Sequence, residues 1–576
     1  MTVAAELSRA RALAFAGDSG AARDLLLSLV PAIERADRDD QLLEVFSQLA
    51  EIYLVRSAFD GTRECVGRIW AALEIYDSIR AGGNPEAAAQ VTLSAEQVDL
   101  MCERYRHRAL GLEAALAAAS GRHDDAATVL TLLDRAGPSE SLAAEHRRVL
   151  TTARVRCAFG LCDDELHARA APLWVQVHTV LVDVERTGGA GLEPDRLYVE
   201  AGLGYGRFCV ETGRYGDAEP WLRRAGARAQ ARGWRLEAAR AEVELAASRW
   251  ATGDVDAAGG LIAGAYPVIA EYARAHDVGR CWLYLGLIAL ATGALERADE
   301  CWAHAERCWH DLARPIHLYR ILLQRSWIPI FCGRWSEAEA LIARARAHLD
   351  AAACAGWLQY ARLDDQLGNL HRARGLAELG FDAAGTPEAS WEELEFRHVA
   401  SLGIVDADPD AGQRRRALYA LAKAAELKIP AALAVDSVRY SITDAQCRSA
   451  WAAGVSAPAL AGAFAVAWEA ENTPLVAELI EYHCARGAFA EPEQAGGPAA
   501  GWASTATAPI PVDDGEHSLV AAASSPSGAQ ADLLAPLPPL RMDPGAEPVL
   551  AFYRELAHRR YGRGGDRGAE AWPTWP

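Results

Sequence analysis

Apolar residues recur along most of this chain at intervals of three and four, the spacing that lays one stripe along a helix. Continuous helical patterning runs to about residue 486, with long segments at 40–78, 94–118, 140–160 and 163–188. In the middle the pattern repeats itself. The stretches beginning at Thr212, Thr252, Thr292 and Cys332 align without gaps, each 40 residues after the last. Their glycines are Gly213, Gly253, Gly293 and Gly333. Five residues on, every copy has alanine (Ala218, Ala258, Ala298, Ala338), and seven further, alanine again (Ala225, Ala265, Ala305, Ala345). Seven residues before the glycine the residue is small: Gly206, Ala246, Gly286, Ser326. Two residues after it stand Tyr215, Val255, Leu295 and Trp335.

Each column has a steric reading. The small residue lets two helices of a hairpin approach. The glycine ends the first helix, where a positive φ is needed. The bulky residue opens the second helix and plugs the corner. The paired alanines share one face of that helix, where the next hairpin docks. The small residue, glycine, aromatic and alanines resemble the tetratricopeptide (TPR) signature, whose usual period is about 34 residues. The longer period resembles the long-helix TPR variety of bacterial signalling proteins. The expected fold is all-α, a right-handed α-solenoid of TPR-like hairpins.

Organisation follows from where the columns hold. Residues 194–350 carry the regular repeats; 1–193 are degenerate repeats, in which Gly17 with Ala22 and Gly121 with Ala126 keep the glycine-to-alanine step. Residues 351–486 are degenerate repeats and a cap, since terminal repeats drift. Residues 487–546, rich in Ala, Pro, Gly and Ser, read as a flexible linker. A helix over 547–562 follows, with Pro548 in its first turn, an apolar stripe of Val549, Phe552, Tyr553 and Leu556, and Arg559 and Arg560 near its end. On a tether reaching about 40 Å, it could fold back into the solenoid and inhibit it.

The first helices of the repeats, which line the concave wall of a TPR solenoid, supply a candidate partner-binding groove. One column reads Glu200, Arg240, Arg280, Arg320. The columns facing inward contribute Trp250, Leu283, Leu287, Leu290, Leu323 and Trp327. An apolar wall with an arginine rim suits an amphipathic helix or an extended peptide carrying an acidic residue. The alternative is that the helices coil tightly and bury those columns. A closed pocket lined by Trp250, Trp282 and Trp327 would instead point to a small ligand.

Charge and chemistry narrow the function. A net charge of −20 argues against nucleic acid and against an anionic membrane surface. Twelve cysteines without a CxxC pair suit a reducing compartment. Glu6 and Arg9 interrupt the apolar run a signal peptide needs, and the uncharged run Cys281–Leu295 is shorter than the roughly 20 residues that span a bilayer. A cytoplasmic chain is expected. Phosphate loops, HExxH and GxSxG are absent. Cys301, His304 and Cys308 are spaced to share a helix face, but Cys301 falls in a packing column; His483 and Cys484 are adjacent and so diverge by about 100°. No cofactor, metal or catalytic residue is assigned.

The stretch 435–486, with Arg448, Trp451, Ala459, Leu460, Ala465 and the run 475–481, resembles the last helical segment before the protease domain of actinobacterial CHAT (caspase-like) proteins. The tail 538–545 and the helix after it resemble tails of stand-alone TPR partners of those proteases. The CHAT catalytic His and Cys have no counterpart positions here. The resemblance implies a non-catalytic scaffold or sensor whose partner is a CHAT protease or its substrate.

Overall fold

The computed structural model describes residues 2–83, 85–88, 91–187, 191–381, 410–442, 444–485, 507–512, 540–541, 548–563 and 572–573. Its fold is an all-α solenoid of helical hairpins. The chain divides into two compact units. One holds Met1–Phe208, Asp217–Leu245 and Gly264–Arg274; the other holds Cys209–Gly216, Ala246–Ala263 and Ala275–Pro576.

The repeat corners are built as the columns require. Gly213, Gly253, Gly293 and Gly333 have φ of +81°, +83°, +75° and +67°, the region where a Cβ would clash with the backbone. Each glycine amide closes the helix before it, as Gly293 does by donating to the carbonyl of Leu290 at 2.8 Å. Tyr215, Val255, Leu295 and Trp335 then open the second helices, half-buried. The eight column alanines are buried. Two positions of the small column admit only glycine: a Cβ on Gly206 would lie 2.5 Å from Leu222 Cδ2, and one on Gly286 would lie 2.2 Å from Trp302 Nε1. Trp302 spans this crossing and donates to the carbonyl of Leu283 at 3.1 Å.

A second left-handed column lies midway between the first. Gly233, Ala273 and Ala313, also 40 residues apart, have φ of +72°, +50° and +50° and turn the chain from one hairpin to the next. Two alanines hide this column from a search for glycine.

In the N-terminal unit the same disguise recurs. The expected continuous segment 40–78 is two helices, Asp39–Val55 and Phe59–Arg80, broken at Ser57 with φ +58°. Ser57 lies 40 residues after Gly17 and is therefore the next corner. Thr62 takes the column-alanine position there and is fully buried. Glu165, φ +60°, makes the corner between Ala143–Asp163 and His167–Thr187, followed five residues later by buried Ala170.

The C-terminal unit carries the hairpins Ala275–Ala291 with Leu295–Asp311 and Pro315–Phe331 with Trp335–Asp350. Beyond them Trp357–Glu378 packs along the long helix Ala411–Ser437. Their interface buries Lys428, whose ammonium donates to Asp365 and Asn369 at 2.6 Å each. The stem fits because its neighbours are glycines: a Cβ on Gly368 would lie 2.3 Å from Lys428 Cγ, and one on Gly462 2.5 Å from Cε. A bidentate Arg372–Glu469 pair is buried nearby, with 2.7 Å and 2.5 Å bonds.

One described helix, Cys447–Glu469, is long and apolar enough to cross a membrane. Its uncharged run, Ser449–Trp468, is longer than the Cys281–Leu295 run on which the expectation of no span rested. Here its N-terminal half contains the π turn Ala452–Ser456, and Leu460, Ala463 and Val466 are buried in a core shared with Ala411–Ser437.

The C-terminal helix, Val549–Tyr561, completes that core. It packs on Ala411–Ser437, Thr473–Ala485 and Trp357–Glu378. Its buried face is Leu550, Tyr553, Ala557 and Tyr561, whereas Phe552, placed on the stripe by sequence, is half exposed. Val549 and Leu556 pack at the margin. Pro548 stands one position outside the helix as its N-cap, and Glu478 accepts the amides of Val549 and Leu550 at 2.9 and 2.6 Å. Tyr561 Oη donates to Asp364 at 2.7 Å. Further along, Trp572–Pro573 of the tail pairs in parallel with Leu540–Arg541.

Candidate peptide-binding site in the C-terminal unit

Most of the interval 487–546, read from sequence as linker, lies outside the described residues. Thr507–Val512 is described, and it is held. Pro509 and Ile510 are buried. Local chemistry explains why this piece suits an extended docked strand. Prolines at 509 and 511 fix φ near −65° and bias the preceding residues, Ala508 and Ile510, away from helix. They also remove two backbone donors, so Ile510 owns the lone amide N–H between Ala508 and Val512.

That amide donates to the carbonyl of Glu211 at 2.8 Å. Glu211 ends the helix Leu192–Glu211, and terminal helix carbonyls have no partner within their own helix. The other side of the segment is held by Arg362, from Trp357–Glu378, which donates through Nη2 to the Pro509 carbonyl at 3.0 Å. The proline ring sits over two glycines. A Cβ on Gly213 would lie 3.9 Å from Pro509 Cβ, and one on Gly454 in the π turn 3.7 Å from Pro509 Cδ. A repeat-defining glycine thus doubles as part of the floor, where it also meets Ala450 closely enough that a Cβ would come within 2.6 Å.

One member of the arginine row stands beside the site. Arg280 pairs with the Glu211 side chain at 3.5 Å, both nearly buried, beside the carbonyl that Ile510 uses. Arg240 lies in the N-terminal unit, where burial pushes the Glu200 carboxyl up but Arg156, Arg196 and Arg240 together hold it below its usual range. Arg320 is half-buried.

The apolar columns have a different fate. Trp250, Leu283, Leu287, Leu290, Leu323 and Trp327 are all buried, and Trp327 stacks on Phe331 with ring centroids 5.5 Å apart. Long helices carry enough side-chain volume to close over these columns, so this wall belongs to the core. Trp282 lies apart from the other two tryptophan positions in role: it stacks on His304 at 4.5 Å, and His304 also contacts Arg307. Cys301 is buried, as its packing column implied.

The elements that hold the segment were largely invisible in sequence. Arg362 and Gly454 lie where the repeat register is lost, and Glu211 acts through its backbone. The one available signal was Pro-Ile-Pro inside a stretch rich in small residues. Cys447, in the adjoining core, has its thiol pushed up to about 12 by burial and by Asp444, which suits packing rather than nucleophilic chemistry.

No family model matches the chain, and no curated protein sequence matches it. Two of the solved structures similar to it are Rap proteins in complexes. One is a Rap protein complexed with Competence and Sporulation Factor, at 13% identity with TM-score 0.40, covering 74% of this chain and 99% of that one. The other is the Rap conjugation gene regulator of plasmid pLS20 in complex with the Phr* peptide, at 12% identity with TM-score 0.34, covering 64% and 95%.

Proposed function

We propose that this chain is a non-catalytic scaffold or sensor that binds an extended peptide segment of a partner protein at the site now holding its own Thr507–Val512. The observation carrying the reading is that segment itself. Pro509 and Ile510 of a Pro-Ile-Pro segment lie buried in the C-terminal unit, tied by one backbone bond to Glu211 and one charge-assisted bond from Arg362. Both ties use groups any extended peptide possesses. A partner with a similar aliphatic-proline strand competes for them, and the self-segment sets the threshold that partner must exceed.

The partner class we favour is a CHAT caspase-like protease or its substrate, supported by the resemblance of residues 435–486 to the last helical segment before the protease domain of CHAT proteins and of the tail 538–545 to tails of their stand-alone TPR partners. A cytoplasmic setting accords with twelve free cysteines, eight of them buried. Replacing 507–512 by Gly and Ser in the full chain and adding a fluorescent peptide spanning 505–514 tests the site. Saturable binding in trans, competed by unlabelled peptide and abolished by Arg362→Ala, is expected. A well-folded replacement protein that ignores the peptide would sink the proposal. Co-purification with a CHAT protease encoded beside it tests the partner class separately.

A further inference from the structure

Both hydrogen bonds that hold the Thr507–Val512 segment fall on one peptide group. The Pro509 carbonyl accepts from Arg362 Nη2 at 3.0 Å, and the Ile510 amide donates to the Glu211 carbonyl at 2.8 Å. These are the oxygen and the hydrogen of the single amide between Pro509 and Ile510. The bond is trans, so the two atoms point in opposite directions. Arg362 and the end of the helix Leu192–Glu211 grip that amide from its two edges. Each bond polarises the amide and so strengthens the other. Arg362 is 8% exposed, and its charge meets the carbonyl largely away from water.

The side chains flanking this amide are the buried ones. Ile510 is 4% exposed and Pro509 is buried, whereas Thr507, Ala508, Pro511 and Val512 are half-buried. The preceding amide is equally informative. Its nitrogen belongs to Pro509 and carries no hydrogen. In place of the hydrogen stands ring Cδ, 3.7 Å from where a Cβ on Gly454 would lie. Any other amino acid at 509 turns that carbon into a buried N–H donor, which weakens binding wherever it finds no acceptor.

We infer that the site reads one dipeptide, proline followed by an aliphatic residue, inside an extended segment of a partner protein. This rests on Thr507–Val512 standing in for such a segment. The first residue lacks an amide hydrogen and the second supplies one. Order therefore matters: Pro-Ile enters the grip and Ile-Pro does not, although the resident segment contains both. Pro511 lies outside the grip and acts by keeping Ile510 extended. The chain is partly exposed on both sides of the dipeptide and can continue in both directions, so the site takes an internal segment and needs no free terminus.

Fluorescence anisotropy tests this on the full chain with 507–512 replaced by Gly and Ser, using peptides spanning 505–514 that are acetylated and amidated at their ends. N-methylation of Ile510 removes the donor to Glu211 and should weaken binding about tenfold or more. Pro509→Ala adds a buried N–H and should weaken it as much, about tenfold or more. N-methylalanine at 509, which again lacks the hydrogen, should recover most of that loss. Pro511→Ala should stay within about fivefold, the scale of lost preorganisation. A parent peptide that fails to bind would defeat the partner site itself, and the dipeptide rule with it. A parent peptide that binds, matched by the N-methyl-Ile510 or the Pro509→Ala peptide, would leave the site standing and overturn the rule. Binding that requires a free terminus would overturn it as well.

Discussion

Arg362 and Pro509 stand 147 positions apart, and the guanidinium of the first donates to the carbonyl of the second at 3.0 Å in a buried setting. This bond converts a stretch with linker composition into a structural element. It also makes the docking adjustable, because a hydrogen bond to a charged donor contributes about 1.5–3 kcal/mol.

Arg362→Ala should therefore release the segment. Loss of that bond corresponds to roughly a 10- to 100-fold shift in docking. Hydrogen exchange at the Ile510 amide reads it directly, since that amide is protected by Glu211 in the docked state. Unchanged protection in the variant would show that burial of Pro509 and Ile510 alone holds the strand.

The corner residues give a graded stability series. Gly293→Ala places a Cβ in open space at φ +75° and should cost about 1–2 kcal/mol from backbone strain alone. Gly213→Ala adds a contact of 2.6 Å with Ala450 and should cost more. Ala273→Gly and Ala313→Gly should each stabilise by about 0.5–1 kcal/mol, the strain relieved less the entropy glycine loses. Urea midpoints rank the four; equal effects at Gly213 and Gly293 would mean the 450 region moves aside freely.

Acid should weaken the N-terminal unit through Glu44. Burial pushes its carboxyl up, but Arg108, Arg11 and Gln48 outweigh burial and hold it down to about 2. A depressed carboxyl stabilises the fold above its unfolded value of about 4.5, and that contribution is lost as pH falls from there toward 2. Glu44→Gln should unfold more easily at pH 7 than the parent. The gap between the two proteins should narrow between pH 4.5 and pH 2, as followed by chemical denaturation. A gap that stays constant across this range would remove Glu44 from the acid response.

Truncation before residue 548 should destabilise the C-terminal unit instead of merely freeing a ligand site. The deleted helix takes Leu550, Tyr553 and Tyr561 out of the core, and burial of a single such leucine is worth about 2–5 kcal/mol on truncation to alanine. Leu550→Ala should reproduce much of the effect in melting experiments on the full chain. A truncated protein as stable as the parent, with raised partner affinity, would restore a purely inhibitory role for the helix.

The repeat was legible because its demands are local. A left-handed corner at 213, 253, 293 and 333 selects glycine, and a tight crossing at 206 and 286 selects glycine again, so the requirement is written in the residue itself. Where another residue tolerates the same strain, as Ser57, Glu165, Ala273 and Ala313 do, the corner is present and the letter is silent. The arginine row was visible as a column, yet its three members have different surroundings, Arg280 beside Glu211 and Arg240 facing Glu200.

The amino-acid sequence by itself determined an all-α solenoid, its 40-residue period and the corners that need glycine, because those follow from sterics within a few residues. Only the tertiary structure decided that Leu287 and Trp327 are core, that Pro509 and Ile510 are docked, and that Tyr561 reaches Asp364. Burial and charge matching are set by every neighbour in space. Those neighbours come from positions tens to hundreds of residues away, beyond the reach of any local pattern.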